Sequence, residues 1–129
     1  MTAVDVNYDG QDELVVAFPG HGLYIYDQAN GWMQINTVMP EVVIKFLNGI
    51  ACDFGAIHGL WLWNSRGGWK QVNTANPDKL IAADTDGDSQ DELIVSFVGY
   101  GLYIYDEPSG WKQINSDIPN AMIGLNVMR

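Results

Sequence analysis

The sequence has little with which to build a covalent frame. Cys52 is its only cysteine in 129 residues, so no internal disulfide exists and the fold must rest on packing. Cys52 stands within Ile50-Ala51-Cys52-Asp53-Phe54 with no histidine beside it, the setting of a small buried hydrophobe rather than of a reactive thiol. Basic side chains are scarce too: six Lys and Arg against 16 Asp and Glu leave a net charge of -10. That balance argues against nucleic acid and anionic membrane surfaces as partners, since both need a basic face to displace counterions. It favours cations, basic partners or neutral ligands. No apolar run approaches the roughly 18 to 20 residues of a spanning helix, and the start at Met1 has neither a basic stretch nor the apolar core of an export signal. The expectation is no membrane insertion, with any export signal absent or already removed. Missing as well are a Ser/His/Asp order, zinc-ligand spacing and a glycine-rich phosphate loop.

What the chain does have is repetition. Gly22-Leu23-Tyr24-Ile25-Tyr26-Asp27 recurs as Gly101-Leu102-Tyr103-Ile104-Tyr105-Asp106, and Gly31-Trp32 with Gln34-Ile35-Asn36 recurs as Gly110-Trp111 with Gln113-Ile114-Asn115. A middle copy reads Gly59-Leu60-Trp61-Leu62-Trp63-Asn64, then Gly68-Trp69 and Gln71-Val72-Asn73. The offsets of 37 and 42 residues define a unit of roughly 40, the length of a four-stranded propeller blade. Within a unit, apolar alternation with period two is punctuated by Gly-rich turns, and the fourth segment is the most polar, which suits a sheet edge. The reading is an all-β single domain of three blades, about 1–38, 39–76 and 77–118, with 119–129 as the extra opening strand of a next blade. Propellers typically close with about four to eight blades. The expected architecture is therefore a β-propeller in which each chain forms a half-ring and a homodimer closes six blades, the C-terminal strand of one chain supplying or displacing the short first strand of the other. The alternative is an open arc or a piece of a longer array.

Two stretches carry chemistry. Asp5-Val6-Asn7-Tyr8-Asp9-Gly10-Gln11-Asp12-Glu13 and Asp84-Thr85-Asp86-Gly87-Asp88-Ser89-Gln90-Asp91-Glu92 place oxygen-bearing side chains at positions 1, 3, 5, 8 and 9. A hard divalent cation such as calcium takes about six to eight oxygens, and alternate residues of a tight loop converge on one point. The candidate ligands are Asp5, Asn7, Asp9, the Gln11 carbonyl and Glu13 in the first loop. In the third unit they are Asp84, Asp86, Asp88, the Gln90 carbonyl and Glu92. Asp12 and Asp91 are expected to point away. This is not an EF-hand: position 12 is Val16 or Val95, and strands flank the loop. The alternative is a metal-free hairpin whose Asp side chains cap their own backbone. The middle unit lacks about five residues here and has lost the carboxylates.

Ile81-Ala82-Ala83, Asp84-Thr85-Asp86-Gly87-Asp88 and Asp91-Glu92-Leu93-Ile94-Val95 together resemble the FG-GAP/VCBS type of repeat, found in calcium-binding blades of integrin-alpha-like propellers. The resemblance covers all three units for the strand pattern and two for the metal loop. It implies calcium between the first two strands of a blade and an extracellular or cell-surface protein that adheres to proteins or binds carbohydrate. This chain departs from the family at Ser89, where glycine is usual, and in its shorter units.

Three functional readings follow. The first is a non-catalytic binding module, lectin-like or protein-binding, for which Trp32, Trp69 and Trp111 are candidate ligand contacts as well as candidate blade spacers. The tyrosines and tryptophans of the third strands read as packing between blades. The second is a structural or assembly half-propeller without a ligand of its own. The third, a glycoside-processing enzyme, needs two carboxylates in contrasting surroundings, whereas these cluster at metal spacing. The expectation is no enzyme. His21 and His58 occupy equivalent turns and read as turn residues.

Overall fold

A computed structural model describes residues 1–107 and 109–125. These form twelve strands and one helical turn. The first unit holds β1 (Thr2–Val4), β2 (Glu13–Phe18), β3 (Gly22–Asp27) and β4 (Gly31–Asn36). The second holds β5 (Val42–Phe46), β6 (Gly49–Asp53), α1 (Gly55–His58), β7 (Leu60–Asn64) and β8 (Gly68–Asn73). The third holds β9 (Pro77–Ala83), β10 (Glu92–Phe97), β11 (Gly101–Asp106) and β12 (Gly110–Asn115). Each unit is one antiparallel four-stranded meander in sequence order. Among the described residues no helix is long and apolar enough to cross a membrane.

The sheets stack through two unlike faces. One face is aliphatic: Val15, Leu23, Ile25 and Ile35 of the first sheet pack against Cys52, Trp61, Trp63 and Trp69 of the second. The next junction repeats the scheme, with Ala51, Leu60, Leu62 and Val72 against Leu93, Val95, Phe97, Tyr103 and Trp111. An aliphatic face therefore meets the aromatic face of the following sheet. Cys52 is completely buried in the first junction, and burial pushes its thiol up, which leaves it a packing group. The first strands adjoin in turn, β1 against β5 and β5 against β9.

A β-bulge links each sheet to the next. The β3–β4 register passes from Leu23 opposite Asn36 to Tyr24 opposite Gln34 and skips Ile35. Val72 is skipped in the second sheet and Ile114 in the third. A bulged residue leaves the ladder, so its carbonyl is free to turn outward. Trp69 Nε1 donates to the Ile35 carbonyl at 2.9 Å, and Trp111 Nε1 to the Val72 carbonyl at 2.9 Å. The neighbouring glutamine ties each bulge to the preceding turn: Gln34, Gln71 and Gln113 donate to the carbonyls of His21, His58 and Tyr100. The strand-three glycine is fixed by the same crossing. Gly22 has φ +110°, and a Cβ there would run into the Asn36 carbonyl.

Residues 119–125 form no strand, in contrast to the extra strand expected over 119–129. A strand needs a ladder partner, and the strand that would follow this segment as β10 follows β9 is not among the described residues. Gly124 of this segment stands close to Ala83 at the end of β9, where an added Cβ would run into the Ala83 side chain. Positions 126–129 of that expectation lie outside the described residues.

Candidate metal centre

The third-unit loop connects β9 to β10 and is shaped by its own carboxylates. Asp84 accepts from the N–H groups of Gly87 at 2.8 Å and Ser89 at 2.9 Å. Asp86 accepts from Asp88 N–H at 3.1 Å, and Asp88 from Gln90 N–H at 2.8 Å. This winding needs left-handed backbone at Gly87 (φ 79°) and Ser89 (φ 70°). In the first loop Tyr8 (φ 63°) and Gly10 (φ 86°) take those two positions. Each loop thus spends glycine on one left-handed residue and carries about 1 to 2 kcal/mol of strain at the other. Ser89 occupies such a strained position.

The winding gathers the charges. Carboxylate oxygens of Asp84, Asp86, Asp88 and Glu92 come within 4.8 Å of one another, as do those of Asp5, Asp9 and Glu13, while Asp12 and Asp91 belong to neither group. Asn7 Oδ1 receives the Asp9 N–H at 3.2 Å, beside Asp5 Oδ1 at 3.2 Å. Gln11 donates its N–H to Asp9 at 2.8 Å.

Glu92 is the informative member. It is 1% exposed. Its Oε1 accepts from the Thr85 N–H and hydroxyl, both at 2.7 Å, whereas its Oε2 is buried with no hydrogen-bond partner. A buried carboxylate oxygen without a partner costs several kcal/mol in order of magnitude, and a cation held by the neighbouring aspartates would supply the missing partner. The residues present therefore fit a hard divalent ion. Glu13 is the counterpart: 3% exposed, with Oε1 accepting the Val6 N–H at 2.9 Å.

The electrostatics agree. Desolvation pushes the Glu13 carboxyl above its ordinary range; the Val6 N–H opposes it, and Asp9, Asp5 and Asp27 add to it. At Asp86 the Asp88 N–H pulls the carboxyl down, but desolvation and the facing carboxylates of Asp88 and Glu92 outweigh it, so it too stands high. Asp106, at the end of β11, is raised by desolvation and then by Glu92 and Asp88. Asp27 and Asp106 thus face the two clusters from strand three, a contribution that spacing within the loops does not reveal.

Raised carboxyls bind protons more tightly folded than unfolded. Their contribution is present below the unfolded carboxylate range and is lost as pH rises through the raised folded values. Without a cation, the melting temperature is therefore expected to fall as pH rises through and above the ordinary carboxylate range of about 4. Asp27, at the end of β3, runs the other way, lowered by the Ala29 N–H and the Asn30 side chain. Saturating calcium is expected to reverse the trend, because a bound ion would compete with protons. Thermal melts in chelator and in calcium across that rise in pH measure both slopes; parallel curves would count against carboxylate ligation.

The middle unit offers a different feature. Its β5–β6 turn is short, with Leu47 at φ 54°, and a cleft of about 500 Å³ opens over it, lined by Tyr8, Asn48, Trp63, Lys70, Gln90 and Glu107 among others. Asn48 donates to the Asp5 carbonyl at 3.3 Å, Ser65 to the Val6 carbonyl, and Arg66 lies 3.9 Å above the Tyr8 ring. Lys70 pairs with Glu107 at 3.3 Å across the second junction. The only sequence signal for this cleft is the deletion itself.

The three tryptophans separate. Trp69 and Trp111 lie between sheets, their N–H groups spent on the bulge carbonyls. Trp32 is 53% exposed, and its ring contacts among the described residues are with Phe18, Tyr24 and Tyr26 of its own sheet. In comparisons with known proteins, the chain matches no family model, no curated protein and no solved structure.

Proposed function

We propose that this chain is a non-catalytic, calcium-stabilised β-propeller binding module acting outside the cell or at its surface. The unpartnered, buried Oε2 of Glu92 within the Asp84, Asp86 and Asp88 cluster carries the cation reading. The blade reading is supported by three meanders of one design whose first strands adjoin in turn. Calcium joins the first two strands of the outer blades and flanks the cleft over the shortened middle turn. That cleft, with Tyr8 for stacking and Asn48, Lys70, Gln90 and Glu107 for hydrogen bonds, suits a neutral carbohydrate or a protein segment.

Calorimetric titration with calcium tests the ion. Two binding events are expected in the native chain and one in Glu92→Gln, since the amide removes the buried charge. A chain that takes up no heat and also gives no sensitised terbium emission would leave the loops as self-capped hairpins. For the ligand, a glycan array probed in calcium is the corresponding measurement, and its failure would leave a protein ligand.

The second reading, an assembly part, is favoured by the exposed aromatic face of the first sheet.

A further inference from the structure

Equivalent residues of the first and third sheets have very different exposure. Leu14 is 42% exposed and Phe18 38%, while Leu93 and Phe97 are 0% and 2%. Their side chains and their strands are the same. What differs is the cover: the aliphatic face of the second sheet lies over the third sheet's aromatics, and no sheet among the described residues lies over the first sheet's. The uncovered aromatic group is nevertheless already assembled. Phe18–Tyr24, Phe18–Trp32 and Tyr26–Trp32 ring centroids are 5.8, 5.4 and 4.9 Å apart. The corresponding distances for Phe97–Tyr103, Phe97–Trp111 and Tyr105–Trp111 are 5.8, 5.5 and 4.9 Å.

The other end of the stack presents the complement. The aliphatic face of the third sheet carries Leu102, Ile104 and Ile114, with Ile114 45% exposed. The β-bulge at Ile114 matches those at Ile35 and Val72. At the two internal junctions the bulge carbonyl receives a tryptophan N–H. Among the described residues Trp32 has no acceptor of this kind, and no side-chain donor reaches the Ile114 carbonyl. One end has the donor and the aromatic face; the other has the acceptor and the aliphatic face.

We infer that a second copy of this chain seats the third sheet of each protomer on the first sheet of the other, with Trp32 Nε1 donating to the partner's Ile114 carbonyl at both junctions. The contact continues the interface that the chain already makes twice within itself. With three sheets per chain, two copies close a six-sheet ring, within the range of about four to eight blades that propellers adopt. The inference rests on the propeller reading and specifies its assembly residue by residue.

Light scattering behind size exclusion tests it on the 129-residue chain. The expected mass is twice 14.3 kDa. Ile114→Arg places a charge on an already exposed position, so the fold survives and the mass falls to one chain with an unchanged circular dichroism spectrum. Trp32→Phe keeps a ring and deletes the N–H at both junctions, which raises the dimer dissociation constant about tenfold or more. A folded wild-type monomer overturns the pairing, as does a dimer that persists in Ile114→Arg, and a ladder of heavier species overturns ring closure. The same samples are titrated with calcium: a monomer that binds the ion sinks the pairing alone, and a dimer that ignores the ion sinks the cation reading alone.

Discussion

Stripping calcium with a chelator is expected to lower the melting temperature by about 10 °C for each loop that holds the ion. The estimate follows from mass action. An ion at 100 times its dissociation constant stabilises the folded state by about 2.7 kcal/mol, and 1 kcal/mol moves the midpoint of a domain of this size by roughly 4 °C. The physical cause is local. Asp84, Asp86, Asp88 and Glu92 bring carboxylate oxygens within 4.8 Å, and repulsion among them remains when nothing neutralises it. Glu92→Gln separates the two halves of the argument. In chelator the amide removes a buried charge that lacks a partner at Oε2, so the variant is expected to melt at or above the wild-type temperature. In calcium it loses the third loop's contribution and melts about 10 °C below wild type. A wild-type curve that is the same in calcium and chelator would mean that the loops stand by backbone capping alone, for which the Asp84, Asp86 and Asp88 hydrogen bonds provide the means.

Much of the strand layout was legible because the code for a strand is short-range: period-two alternation, left-handed glycines at turns and a polar last strand recur in every unit. The repeats also identified equivalent residues. They did not say what covers those residues. Leu14 and Leu93 are the same position of the same motif, yet one is open and the other sealed, because burial depends on the next sheet. The bulges at Ile35, Val72 and Ile114 were hidden for a similar reason: a skipped residue is a property of a pair of strands. Without the bulge, Trp69 and Trp111 read equally well as ligand contacts or as spacers. The helical turn Gly55–His58 has no counterpart in the other units and so no repeat to announce it. The loop carboxylates were visible from spacing, whereas Asp106 reaches Glu92 and Asp88 only through the register of β10 with β11.

Trp111→Ala is expected to remove about 3 to 5 kcal/mol of stability, the usual cost of truncating a large packed aromatic. With urea slopes of about 1 to 3 kcal/mol/M for small proteins, the midpoint drops by roughly 2 M. Two losses combine in that figure. The indole fills the space between Phe97, Tyr103, Tyr105 and the second sheet, and its N–H satisfies the Val72 carbonyl that the bulge releases from the ladder. Once the donor is gone, that carbonyl is left on a partly buried junction at a cost of about 1 kcal/mol or more. Trp69→Ala meets the same two losses at the first junction. Trp32 is the internal control, because it has the same ring neighbours and the same strand position but no sheet over it. In a chain kept monomeric by Ile114→Arg, Trp32→Ala is expected to cost less than about 1 kcal/mol, as exposed substitutions do. If all three tryptophans cost the same in that background, the stabilisation lies in the aromatic cluster within each sheet rather than in the contact between sheets, and the bulge carbonyls would lose the linking role assigned to them.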